Sequence, residues 1–204
     1  LSGGVAADGL TGAGALDVIC SSWGPGDPLR FFVSDGRGAF RDATREAGLE
    51  GITGGLNLCH ADYDNDGDRD VLVLRGAWLT TRAQYPNSLL RNHDGSFFED
   101  VPESAGLLSF HGTQTAAWGD YNGDGWLDLF VGNESTPVGG EHPCELFHNR
   151  GDGTFEEVAG KLGLAVVGFV KGVAWGDYDA DGRADLYVSR LGASNLLYRN
   201  DGPR

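Results

Sequence analysis

The stretch "ADYDNDGDRDVLVL", Ala61 to Leu74, places five aspartates within nine positions and then turns abruptly apolar. Like charges packed so closely repel, so something must hold Asp62, Asp64, Asp66, Asp68 and Asp70 together. The stretch returns twice, as "GDYNGDGWLDLFVG" from Gly119 and "GDYDADGRADLYVS" from Gly176. The closing aspartates Asp70, Asp128 and Asp185 are 58 and 57 residues apart. A second marker keeps the same beat: "FRDATREAGL" from Phe40, "FEDVPESAGL" from Phe98 and "FEEVAGKLGL" from Phe155. A third lies between them: "LLRNHDGSF", "LFHNRGDGTF" and "LLYRNDG". Self-similarity at a fixed period marks a repeat array. The units run approximately over residues 1–50, 51–108, 109–165 and 166–204. The first is worn: "AADGLTGAGALDVIC" keeps Gly14 and Asp17 but has Gly9, Thr11 and Ala13 where the others carry acids.

Each unit divides into four short β segments. In the third these are residues 115–121, 127–133, 144–149 and 154–159, separated by Gly, Asn, Asp and Pro. Alternation in "DLFV" and "DLYV" suits half-buried strands. Tandem four-stranded units predict an all-β protein made of β-propeller blades. The last unit stops before its outer "GTF" strand, so a larger or assembled propeller is expected, including a homo-oligomer or filament joined through the open edge.

Numbering each loop from its first aspartate shows why the acids recur. Position 1 is Asp62, Asp120 or Asp177; position 3 is Asp64, Asn122 or Asp179; position 5 is Asp66, Asp124 or Asp181. Position 6 is glycine, which permits a sharp bend, and position 9 is Asp70, Asp128 or Asp185. The position-7 residues Asp68, Trp126 and Arg183 offer a backbone carbonyl. An all-oxygen set without His or Cys selects a hard cation, and Ca²⁺ tolerates the irregular geometry better than Mg²⁺. An EF-hand would need Glu at position 12 and flanking helices; here that position is Val73, Val131 or Val188 among β-formers. Three Ca²⁺ sites are therefore expected, with position 9 as bidentate ligand. Three ions would move the formal charge from −15 to −9.

The matching runs "AWGDYNGDGWLDLFV", "LFHNRGDGTFEEVAGKLGL" and "GVAWGDYDADGRADLYV" resemble the FG-GAP/VCBS calcium-binding repeats of integrin α-chains and secreted bacterial proteins, closest to the cartilage acidic protein branch. The resemblance implies an extracellular or secreted, periplasmic or cell-surface protein that binds, adheres or scaffolds, with structural metal. It also implies seven blades, where four units are visible.

The remaining features bound the function further. A net charge of −15 excludes the basic stripe of a nucleic-acid binder. No apolar run approaches the ~18 residues that span a bilayer. Without an initiator methionine or signal peptide, the chain reads as a mature or excised piece. Cys20 and Cys59 sit in apolar runs and read as small buried residues, with a Cys20–Cys59 disulfide open. Long loops between second and third strands should lie opposite the acidic face and offer Trp23, Trp78, Arg82, Tyr85 and His142 to a glycan or protein partner. The competing reading is a polysaccharide lyase or hydrolase using Tyr85, Glu134 and Glu141; no catalytic constellation is assigned. "NES" at Asn133 fits a glycosylation acceptor in an exposed loop, and "RGD" at Arg150 occupies a hairpin turn. Trp118, Trp175 and His60 are expected in the core, and His93 and His148 on the surface.

Overall fold

The computed structural model describes residues 3–22, 24, 26–75 and 85–202. Four antiparallel sheets follow one another along the chain, each built only from strands adjacent in sequence. The first holds β1 (Val5–Asp8), β2 (Asp17–Cys20), β3 (Arg30–Ser34) and β4 (Phe40–Asp42). The second holds β5 (Asn57–Ala61), β6 (Asp70–Leu74), β7 (Ser88–His93) and β8 (Phe97–Asp100). The third holds β9 (Thr113–Gly119), β10 (Asp128–Asn133), β11 (Glu145–Asn149) and β12 (Phe155–Glu157). The fourth has three strands among the described residues, β13 (Val170–Gly176), β14 (Asp185–Arg190) and β15 (Leu196–Tyr198). This is a run of propeller-type blades, with the first strands of successive blades side by side. The sequence places a strand through Ala159; instead α1 (Ala159–Leu162) makes one helical turn closed by Gly163 at φ 72°.

No single centre holds the core. Among the described residues it is divided into three slabs, one between each pair of neighbouring blades. Ile19 and Phe31 of the first blade pack on Val71, Val73 and Leu90 of the second. Leu72 and Leu89 pack on Leu129, Val131 and Phe147 of the third, and Phe130 and Leu146 on Leu186 and Val188 of the fourth. A two-faced sheet buries one face against each neighbour, which is why the second strands read DVLVL and DLFVGN and are buried throughout. The corresponding residues of the fourth blade, Tyr187 and Leu197, are 42% and 52% exposed. The "AGL" marker closes the outer rim: Ala47 and Ala105 accept backbone N–H bonds of 3.0 and 2.8 Å from Phe98 and Phe155 of the next blade. Gly106 is needed there, because a Cβ would lie 2.8 Å from the Phe155 oxygen at φ 76°.

Several smaller expectations change. Cys20 and Cys59 are only half-buried, Cys144 is buried, and all three are free thiols. Asn133 is the last residue of β10, fully buried, and bonded to Pro143 O, Glu145 Oε2 and Thr113 Oγ1, so its amide is not available as a surface acceptor. Trp118 and Trp175 pack between blades, whereas His60 pairs with Asp8 at 3.2 Å. His148 is not a free surface group: its Nδ1 lies 3.1 Å from Asp128 Oδ1.

Candidate metal centre

Each acidic loop joins the first and second strands of its blade. The same four backbone N–H bonds shape all three. The glycine at position 6 donates to position 1: Gly67 to Asp62 (3.1 Å), Gly125 to Asp120 and Gly182 to Asp177 (both 2.9 Å). Position 7 donates to position 5: Asp68 to Asp66 and Trp126 to Asp124 (2.9 Å each), Arg183 to Asp181 (3.0 Å). Position 2 donates to one oxygen of position 9: Tyr63 to Asp70 (3.3 Å), Tyr121 to Asp128 (3.2 Å), Tyr178 to Asp185 (3.0 Å). An asparagine at or just past the end of the third strand donates its backbone N–H to the other oxygen, from Asn92, Asn149 and Asn200, each at 2.8 Å. Much of the crowding that the sequence shows is therefore relieved by amide dipoles. Two turns of each loop run left-handed. Position 6 glycines lie at φ 97°, 88° and 89°, and position 4 is Asn65, Gly123 or Ala180 at 57°, 77° and 61°.

Position 3 takes no part in this pattern. Asp62 Oδ1 and Asp64 Oδ1 are buried without a hydrogen-bond partner, Asp64 Oδ2 meets Arg91 Nη2 at 2.8 Å, and the Asp64 side chain is 7% exposed. Oxygen atoms of Asp62, Asp64 and Asp70 converge within 4.8 Å, as do those of Asp177, Asp179 and Asp185. Burial, partly opposed by the Asn92 and Tyr63 amides, pushes the Asp70 carboxyl up to about 7. Burial raises Asp128 and Asp64 as well. Orphaned buried carboxylate oxygens, all hard donors, fit a divalent hard cation, which would hold those groups ionised. Positions 1, 3 and 9 supply that set. The position-5 residues Asp66 and Asp181 fall outside the convergent trios. In the third loop Asn122 stands at position 3 with its Nδ2 2.8 Å from Asp124 Oδ2.

The first blade has the loop without the acids. Thr11 donates both its backbone N–H (2.9 Å) and its hydroxyl (2.7 Å) to Asp17 Oδ2, and Ser34 N–H donates to Oδ1 (2.9 Å). Asp17 thus keeps the anchoring task of position 9, and a hydroxyl replaces the ion's side of the site.

Sequence reasoning passed over one set of residues. The same three asparagines reach backward to the preceding blade. Asn92 Nδ2 donates to Leu10 O (2.9 Å), Asn149 to Tyr63 O (2.8 Å) and Asn200 to Tyr121 O (2.7 Å). Tyr63 and Tyr121 are position 2 of the preceding acidic loop. Each asparagine therefore ties its own position-9 aspartate to its neighbour's loop. The recurrence of Asn in "RNHDG", "HNRGDG" and "RNDG" was the available signal.

On the opposite side, Tyr85 is exposed and His142 is built into a network. His142 Nδ1 lies 3.0 Å from His111 Nδ1, and its Nε2 lies 3.2 Å from Gly139 O. Glu134 is buried and paired with Lys171. Trp23, Trp78 and Arg82 lie outside the described residues.

Comparison with known proteins agrees with this architecture. The FG-GAP-like repeat profile matches residues 10–73 and 135–188, over half of the chain. Human cartilage acidic protein 1 is 32% identical over 100 residues, 48% of this chain and 14% of that protein. The Xenopus tropicalis protein of the same name is 30% identical over the same shares. The chain thus matches only about a seventh of the length of these relatives. The crystal structure of BBS1N in complex with ARL6DN, soaked with lead, superposes with a TM-score of 0.51 at 13% identity, covering 93% of this chain and 52% of that one. Repeat period, blade topology and profile agree, and the chain belongs to the FG-GAP-like repeat family.

Proposed function

We propose that the chain is a calcium-stabilised propeller segment acting as a binding, adhesion or assembly module outside the cell. One observation carries the metal reading: Asp62 and Asp64 point buried, unbonded oxygens at the Asp70 carboxylate, and the fourth blade repeats the trio at Asp177, Asp179 and Asp185. Oxygen-only loop sites of this kind suit the millimolar calcium of extracellular fluids. The relatives named for cartilage support that location. Ion binding to the folded form alone adds stability by mass action, about 2.7 kcal/mol at a hundredfold excess over Kd. Differential scanning calorimetry in calcium and in EDTA is the test. Tm should fall on chelation, and Asp64→Ala should remove part of that difference. Equal melts with and without calcium would refute the metal role.

Binding is favoured over glycan cleavage because Glu134, one of the candidate acids, is held by Lys171. Exposed Tyr85 supports a partner on the face away from the acidic loops, and exposed Tyr187 and Leu197 support association through the last blade. Light scattering across a concentration series tests the latter: an invariant monomer mass would dismiss it.

A further inference from the structure

The three acidic loops share a framework but not the residue that overlooks it. Directly before each stapling asparagine stand Arg91, His148 and Arg199. Their side chains behave differently. Arg91 turns onto its own loop, with Nη2 2.8 Å from Asp64 Oδ2 and 3.9 Å from Asp66 Oδ2. His148 meets Asp128. Arg199 pairs with Asp201, its Nε 2.8 Å from Asp201 Oδ1, and Asp179 reaches it only through its longer-range field. In the fourth loop the ion pair of Arg183 falls on Asp181, outside the convergent trio. Among the described residues, the second loop is thus the one whose position-3 carboxylate is in a direct ion pair with a guanidinium.

We infer that Arg91 is an internal cation that competes with a divalent ion for the second loop, so that this loop fills after the fourth. The inference rests on the reading of the loops as calcium sites. Three features make Arg91 a displaceable occupant rather than a fixed brace. The ion pair is made through one nitrogen, not the bidentate fork that holds arginine most firmly. Arg91 Nε is buried without a hydrogen-bond partner, so staying in place leaves a donor unused. The side chain is 40% exposed, which gives the charged head a short route to water along its apolar stem. An ion held by Asp64 would sit within about 5 Å of the guanidinium, and its double charge makes that repulsion worth about tenfold in affinity even at high dielectric.

The position-6 glycines allow each loop to be read separately, because Gly67, Gly125 and Gly182 each donate to the position-1 carboxylate of their own loop. Their amide resonances are followed by ¹⁵N NMR during a calcium titration of the whole chain. In the wild type, Gly182 should respond at lower calcium than Gly67. Arg91→Met keeps the stem and removes the charge; it should move the Gly67 midpoint about tenfold lower and leave Gly182 unchanged. Arg91→Gln gives the same readout should the Met variant fail to fold. A Gly67 midpoint that stays or rises would overturn the proposal, since Arg91 would then be supporting Asp64. Should Gly182 and Gly67 both ignore calcium in the wild type, the metal reading itself fails and takes the inference with it. A responsive Gly182 with an indifferent Arg91 variant sinks the inference alone.

Discussion

Replacing Asn149 by alanine removes a junction, not merely a side chain. Three bonds disappear: Nδ2 to Tyr63 O (2.8 Å), Nδ2 to Leu127 O (3.0 Å) and Gly151 N–H to Oδ1 (3.0 Å). Asn149 is 1% exposed, so water replaces these partners poorly. At about 1 kcal/mol net for each neutral bond, the direct loss is about 3 kcal/mol, and stranded carbonyls bring it to about 3–5 kcal/mol. That is a large share of a domain stability of about 5–15 kcal/mol. Asn149→Asp should be no milder. It keeps the acceptor for Gly151 but loses the donor and adds a charge beside the buried Asp128. Urea unfolding with a constant m-value measures the loss. Hydrogen exchange locates it: protection should fall at Tyr63 and Gly67 of the preceding blade as well as around Gly151. A cost below about 1 kcal/mol, or exchange changes confined to the third blade, would refute the stapling role.

Other expectations follow from single residues. Ala180 sits at φ 61°, a region that strains a side chain, so Ala180→Gly should raise stability by about 0.5–1 kcal/mol, read from the denaturation midpoint. Burial lowers the His111 pKa below its ordinary 6.5. The unfolded chain therefore binds its proton first, and stability should decline as pH falls through 6.5 toward the folded-state value. His111→Gln should flatten that part of a Tm-against-pH curve; an identical slope would argue that protonation of His111 is not linked to folding.

Much of the fold was legible because two signals repeated in phase. Aspartates at alternate positions and strands such as "DLFV" and "DLYV" name a loop and the strand that leaves it. The second role of position 9 was harder. It reads as the bidentate ligand of the ion, and each of its oxygens also accepts a backbone N–H in every blade. The clue was Asp17, which survives in a unit whose other loop acids are gone. An aspartate kept without its companions has a task that needs no ion. The asparagines were visible but disguised, because Asn in a run with Asp and Gly ordinarily signals a turn, and nothing local shows that its amide points into the preceding blade. Asn133 failed in the opposite way: its motif is local, but burial at the end of β10 is decided by residues brought from Thr113 and Glu145. His60 occupies the slot that tryptophan fills in later units, and its partner, Asp8, comes from the preceding blade, which the period alone does not specify.

The three asparagine staples point one way, although the more exposed Asn57 and Asn65 donate forward to Gln114 O and Gly125 O. Asn92, Asn149 and Asn200 reach toward the amino terminus, and Phe98 and Phe155 dock on carbonyls already laid down by the blade before. During synthesis the socket therefore leaves the ribosome ahead of the plug. Each of these sockets is in place before its plug, an order that suits assembly one sheet at a time.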